Sequence, residues 1–497
     1  MTATRSAADR FFARQSALDP VRAALSGAPV DPGALPDYSP AGCAARADLL
    51  RSTDPGGDPA LAERLAAEAA YTEAGLATEL NLVTCPPVLL REHLGQLARD
   101  GDPAVLAETL AGVPAALRGY AETLRAAALP PARRQVEMVL GAVGSWAAGT
   151  EFGDSPHAEA ARRGYAELAA VLTEEVLPTA RPEDGVGADR YRAAARFHLG
   201  EDLDPAHCHE VLVAELDELR AASAALAPRG VRETCAELNT DPRWTVTGPG
   251  ALRDWATERL DTAASVGRDV LAAAPPGLGA VQVHVPVEQG SPRYLPPAAD
   301  GSRPARLIWP VPAADPVPVW NQTTMLHHEG VPGHHLQLGT AVLTATSTWA
   351  AHTVVPGNAE GWAVYAEGLM RDAGALTTPQ ERLGHVLGLR LNVAMALADL
   401  SVHTGLPMGD TGQPWTLDGA AAFLAAESAF DAGSLYFTVL RSAAWPGQAL
   451  TYAWGARVWQ ELRAASDAKG IDPREFHRRM LALGPCGLSV LRSALGA

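Results

Sequence analysis

The chain is 497 residues long, 47% hydrophobic and 20% charged, with a formal net charge of −17. That length is material for about three ordinary domains, and the balance is that of a globular chain with a full core. The acidic excess argues against a nucleic-acid binder, which would present a basic face.

Near the N-terminus, Arg5, Asp9, Arg10 and Arg14 interrupt any apolar run that could serve as a signal segment. Nowhere do about 18 consecutive apolar residues occur, so no membrane span is expected. The five cysteines are scattered without a CxxC pair, which signals neither a disulfide framework nor a thiolate zinc site. A reduced cytoplasmic setting is the expectation.

Most of the chain reads as amphipathic helix. "PALAERLAAEAAYTEAGLATEL" and "DPAHCHEVLVAELDELRAASAAL" space their apolar residues by three and four. Asp204-Pro205 places a capping side chain before a proline at the first turn. His207 and His209 are two residues apart and do not share a helix face, so they predict no site. Breaks at 51–59, 181–187, 239–250 and 272–279 punctuate the helices. The chain divides provisionally into an N-terminal helical region (1–275) and a second region (276–497), packed as one unit. The expected fold is mainly α, with two helical lobes around a deep cleft. One segment departs from the pattern: "AVQVHVPV" (280–287) alternates, and a second β-rich run follows within 294–312. These predict a small β ribbon over 281–311, whose edge an extended substrate could join.

The ribbon ends just before "LHHEGVPGHHLQ", which holds four of the fourteen histidines within nine residues. Asn321 or Thr323 is the expected cap of the helix that opens this segment. His328-Glu329 begins the pattern in which two histidines one turn apart bind zinc and the adjacent glutamate works on a water. The fifth position, however, is Pro332. His334 and His335 would lie about 9–10.5 Å further along a straight helix, too far to share an ion with His328. Pro332 lacks a backbone donor and Gly333 takes unusual dihedrals, so a bulged turn there would shorten the distance. Either His334 or His335 could then be the second ligand. A third is expected from Glu360 in "VVPGNAEGWAVYAEG", with Asn358 as the helix cap and Glu360 in the first turn. Glu367 reads as a supporting or surface residue.

"HEGVPGHHLQ" together with "EGWAVYAE" resembles the bacterial family known as domain of unknown function 885. The resemblance extends to "LPDYSPAG", "GVGADRYRAAARFHLGEDLD", "YLPPAADGSRP" and "PGQALTYAWG", and so covers nearly the whole chain. It implies a mainly helical fold similar to gluzincin metallopeptidases, with one zinc ion held by His328, His334 and Glu360. His334 is favoured over His335 because "HHLQ" aligns with "HALY" of the related carboxypeptidase Taq family. Two departures stand near the expected cleft: His327 where the family commonly has tyrosine, and "ARLIWPVP" after "GSRP". Neither touches the expected ligands.

Around the Pro446-Gly447 turn, "LRSAAWPGQALTYAWG" offers Tyr452 as an oxyanion donor, and Arg441 with Gln448 to grip a substrate. Asp399 and His403 lie one helical turn apart, so the carboxylate could orient the imidazole as a further catalytic group. The leading expectation is a zinc hydrolase cleaving a peptide or amide bond in a short peptide or small amide metabolite. In it Glu329 would take the proton of a zinc-activated water and pass it to the leaving amine. The alternative is a non-catalytic metal- or ligand-binding protein of the same fold. Glu329 discriminates, since a binding module has no need of a base beside the metal.

Overall fold

The structure, a computed structural model, describes residues 6–271, 273–288, 290–311, 316–409, 412 and 414–496. It is mainly α. A recurrent device starts the helices: an aspartate caps and a proline follows at the first helical position. Asp58, Asp102, Asp204 and Asp472 each accept backbone N–H groups of the first turn, ahead of Pro59, Pro103, Pro205 and Pro473. The aspartate satisfies donors left without intrahelical partners, and proline loses nothing where no N–H bond is needed.

Two large apolar cores divide the helices. One gathers side chains from Val21 to Ala180, the other from Tyr191 to Leu491. These two cores part between residues 180 and 191. Pro379–Thr404, closed by a Thr378–Glu381 capping box, is the longest helix of the second lobe. By length and composition it could cross a membrane, but most of it is buried inside the protein, as in a core helix.

The β region is larger than a ribbon. β1 (Thr245–Val246) pairs antiparallel with β5 (Val317–Pro318). β2 (Gln282–His284), β3 (Arg293–Leu295) and β4 (Arg306–Ile308) form a three-stranded sheet in the order β2-β4-β3, with β2 parallel and β3 antiparallel to β4. Residues 289 and 312, inside the expected β segments, lie outside the described residues. Strands of two or three residues carry too little alternation to be read locally. Tyr294 and Leu307, paired in register, face inward and join Leu252, Ala256 and Leu260 of the Pro249–Val266 helix. Leu326 joins the same cluster from the helix Thr323–Glu329, so the sheet is packed against the histidine segment.

Candidate metal centre

The segment that sequence reading singled out is a helix, a turn and a second helix. The first helix ends at Glu329 and the second runs His334–Thr344. Between them the Val331–Pro332 peptide is cis, and the Gly333 N–H donates to the His327 carbonyl at 2.8 Å. A Cβ on Gly333 would stand 1.9 Å from the His328 carbonyl oxygen. Only glycine fits, and the turn folds the second helix back onto the first. The caps differ from expectation: Gln322 precedes the first helix without a side-chain capping bond, and Thr323 instead donates to buried Glu381 at 3.2 Å.

The third residue comes from the helix Pro356–Asp372, which starts at Pro356 after Val355. Asn358 is therefore inside the helix rather than its cap, and Glu360 lies one turn further in than expected. Buried Asn358 is a tie: its Oδ1 accepts from Gln337 at 2.9 Å, and its Nδ2 donates to the Cys486 carbonyl at 3.1 Å. Gln337 belongs to the second histidine helix, so this bond sets that helix against the glutamate helix. Trp362 does the same for the turn. Its Nε1–H faces the carbonyls of Pro332 (3.2 Å) and Gly333 (2.9 Å).

His328, His334 and Glu360 converge, with one ligand atom from each lying within 4.8 Å of the others. His328 Nε2 is 3.2 Å and His334 Nε2 3.6 Å from Glu360 Oε2. The rings of the two histidines meet edge-on at 5.0 Å. Glu367 stands behind them, buried: its Oε1 accepts from His328 Nδ1 at 2.9 Å, and its Oε2 accepts from Thr324 Oγ1. His385 Nδ1 lies 3.1 Å from the same Thr324 hydroxyl. A histidine that gives its Nδ1–H to Glu367 points an Nε2 lone pair at the Glu360 carboxylate. Two acceptors then face each other across a buried gap, and a proton or a metal ion between them satisfies both. Two imidazoles and one carboxylate around an open side suit a zinc-like ion.

The charges agree. Burial disfavours a charged His328, but Glu360 and Glu367 on its two nitrogens outweigh burial and raise its pKa well above the usual range. Burial likewise opposes the charge on Glu367, yet His328 and His385 hold it down to about 2. Glu329, beside the trio, behaves oppositely. Burial raises its pKa, while His328, His334 and the backbone N–H of Tyr294 pull it part of the way back. That amide lies on β3, an edge strand of its sheet.

Tyr452, Arg441 and Gln448 come together at the same place. The Tyr452 ring stacks at 6.4 Å on His328. Arg441 Nη2 donates to the Tyr452 hydroxyl at 3.3 Å and to Gln448 Oε1. His335 turns away from the trio: its Nε2 donates to the Gly279 carbonyl at 3.0 Å, and its Nδ1 accepts from the Tyr294 hydroxyl at 3.2 Å. His403 is placed elsewhere too. It is buried against Tyr191, its Nε2 donates to the Ser442 carbonyl at 2.9 Å, and it lies 3.7 Å from Asp399. Asp399 instead accepts from the Tyr191 hydroxyl at 2.6 Å and from the Gly447 N–H at 3.0 Å. It thereby anchors the turn that presents Gln448. His385, Thr324 and Tyr294 escaped the sequence reading, because single polar residues in otherwise ordinary segments carry no spacing signal.

Against known proteins, a family described as "Bacterial protein of unknown function (DUF885)" matches residues 20–495. No curated protein matches the chain. Among solved structures, a lipoprotein candidate from Colwellia psychrerythraea superposes with a TM-score of 0.77 at 19% identity, covering 99% of each chain. A second lipoprotein candidate, from Shewanella oneidensis, gives 0.75 at 15% identity, again over 99% of each chain. These likenesses show a shared fold.

Proposed function

Because the chain belongs to the bacterial family DUF885, whose description assigns no reaction, we propose a function from its site: a zinc-dependent hydrolase acting on a peptide or amide bond. The observation that carries this reading is the position of Glu329. It follows His328 directly and stands beside the His328–His334–Glu360 trio, with burial lifting its proton affinity. A carboxylate poised in this way suits general-base work near neutral pH.

A zinc ion at the trio supplies Lewis acidity toward a carbonyl oxygen and acidifies a water. The chain's own residues do the rest. His328, on releasing the proton that Glu360 and Glu367 otherwise hold on it, and His334 offer ring nitrogens, and Glu367 fixes the orientation of His328. Glu329 takes a proton from water and returns it to the departing amine nitrogen. Tyr452, with Arg441 on its hydroxyl, offers a donor to the oxygen on which charge develops. Arg441 and Gln448 bind a polar or carboxylate group of the substrate. The edge strand β3, whose Tyr294 amide already points at Glu329, suits an extended backbone, which favours a short peptide or a small amide as substrate. A cytoplasmic setting remains part of the proposal.

The test is metal analysis of the purified protein followed by cleavage of a peptide and N-acyl amide library, with and without a chelator. Stoichiometric zinc and chelator-sensitive cleavage support the reading. Bound zinc with no turnover on the library, and Glu329→Gln indistinguishable from wild type, would favour the non-catalytic alternative.

A further inference from the structure

One well-formed cavity lies away from the candidate metal cluster. A cleft of about 320 Å³ opens in the N-terminal part of the molecule, between the helices Ala7–Leu18, Pro40–Ser52 and Pro59–Glu73 and the segment 352–354. None of His328, Glu329, His334 or Glu360 lines it. Its size is that of a small-ligand pocket.

Its walls have two characters. Aromatic pairs form one: Phe12 stacks on His352 at 5.8 Å, and Tyr71 stacks on Phe197 at 4.2 Å. The other is a polar corner. Three arginines line the cleft, and two are matched: Arg22 lies 3.2 Å from Asp19, and Arg64 lies 2.6 Å from Glu68. Arg46 is the exception. Its guanidinium donates to the carbonyls of Asp37 (2.8 Å) and Leu18 (3.4 Å) and to Cys43 Sγ (3.2 Å). All three acceptors are neutral, and no ion pair to Arg46 occurs among the described residues. The Asp37 carboxylate is turned instead to the Ser39 N–H at 2.8 Å. Ser16 lines the same cleft, and its hydroxyl, in a residue only 8% exposed, has no hydrogen-bond partner. A buried donor left unpaired is costly, so this corner is built for something that accepts.

We propose that this cleft is a second binding site, separate from the metal cluster, for a small aromatic carboxylate. The ring sits among the stacked aromatic side chains. The carboxylate takes an Arg46 N–H and the Ser16 O–H. One cation with no carboxylate within ion-pair distance and one hydroxyl fit a single negative charge better than a phosphate dianion, which would need more donors. The apolar walls require a body beyond the charged group.

Isothermal titration of the zinc-loaded protein with 3-phenylpropionate tests this, with 3-phenylpropionamide and inorganic phosphate as comparison probes. Saturable one-to-one binding of the carboxylate is expected, at least tenfold tighter than the amide, with no displacement by phosphate. Arg46→Gln should weaken the carboxylate at least tenfold and leave the amide unchanged. Ser16→Ala, a smaller change that keeps the helix, should weaken it about threefold even if the Arg46 variant misfolds by circular dichroism. Ala23→Phe, which fills the cleft, should abolish binding of both organic probes. Because carboxylates also bind zinc, His328→Ala is the location control, and binding there should be unchanged. Absence of saturable binding, indifference to the Arg46 and Ser16 variants, displacement by phosphate, or loss in His328→Ala would each overturn the proposal.

Discussion

The indole N–H of Trp362 donates to the carbonyl of Gly333 at 2.9 Å, with the Pro332 carbonyl at 3.2 Å. One motif thus braces the other: the tryptophan two residues after Glu360 holds the turn that delivers His334. Trp362→Phe keeps the ring and removes the donor. The Gly333 carbonyl keeps the Gln337 N–H at 3.2 Å, so the loss falls on the Pro332 carbonyl; the substitution should cost about 1–3 kcal/mol of stability and lower zinc affinity about tenfold or more. Competition with a graded chelator checks the second figure. Unchanged affinity in a destabilised variant would mean that the turn keeps its geometry without the indole.

Gly333 sets a sharper condition. The helical propensity of alanine suggests that replacing Pro332 and Gly333 with alanine would give a continuous, well-folded helix lacking only the metal. The structure corrects that view, since a Cβ at 333 would meet the His328 and His327 carbonyl oxygens at 1.9 and 2.4 Å. Gly333→Ala alone should lose on the order of 3 kcal/mol or more of stability together with zinc. Pro332→Ala should do less of both. Thermal melts with zinc analysis distinguish them, and a Gly333→Ala protein with wild-type melting and zinc content would refute the steric argument.

His328→Ala should lose most bound zinc, whereas Glu329→Gln should keep it and lose at least ~100-fold in turnover on any substrate that the wild type accepts. Full zinc occupancy in the His328 variant would remove that histidine from the site. Undiminished turnover in Glu329→Gln would remove the base.

A pH prediction follows from Asp399, which anchors the Gly447 turn. Burial pushes its carboxyl from 3.8 up to about 8, against the opposing bonds from Tyr191 and Gly447. An acid with a raised folded pKa binds its proton more tightly in the fold than in the unfolded chain. Its contribution to stability is therefore full below about pH 4 and is lost as pH rises toward about 8. Asp399→Asn cannot ionise but still offers an acceptor to both donors. Urea melts between about pH 5 and pH 8 should show a steeper decline for wild type than for Asp399→Asn. Equal slopes would show that the carboxyl titrates near its ordinary value.

What could be read from the sequence follows the range of the interactions. His328, Glu329 and Glu360 were legible because each sits in a compact motif whose spacing has chemical meaning. Arg441, Gln448 and Tyr452 were legible because a single turn joins them. The partners of these residues were not. Thr324 and His385 meet Glu367 only through the packing of three helices, and Tyr294 reaches Glu329 from a three-residue strand. Asp399 and His403 do share a helix turn, as their spacing requires, yet their closest hydrogen bonds go to Gly447, Tyr191 and Ser442. Local spacing identifies which side chains can meet; competition among tertiary partners decides which do. Asn358 was misread for the same reason, since its capping chemistry is spent on Gln337 and Cys486.

The helices that carry Glu360 and Tyr452 cross where Gly361 meets Gly455, and a Cβ on Gly361 would stand 2.5 Å from the Gly455 backbone. Gly357 lies against the same crossing, its carbonyl oxygen 2.4 Å from where a Cβ on Gly455 would be. The separation between the Glu360 carboxylate and the tyrosine is thus gauged by bare backbone on backbone. No exchange of side chains at the crossing can narrow it, and any residue larger than glycine there would prise it open. Divergence around the cluster must then come from side chains away from this crossing, those of the small sheet among them, while the spacing of Glu360 and Tyr452 stays fixed.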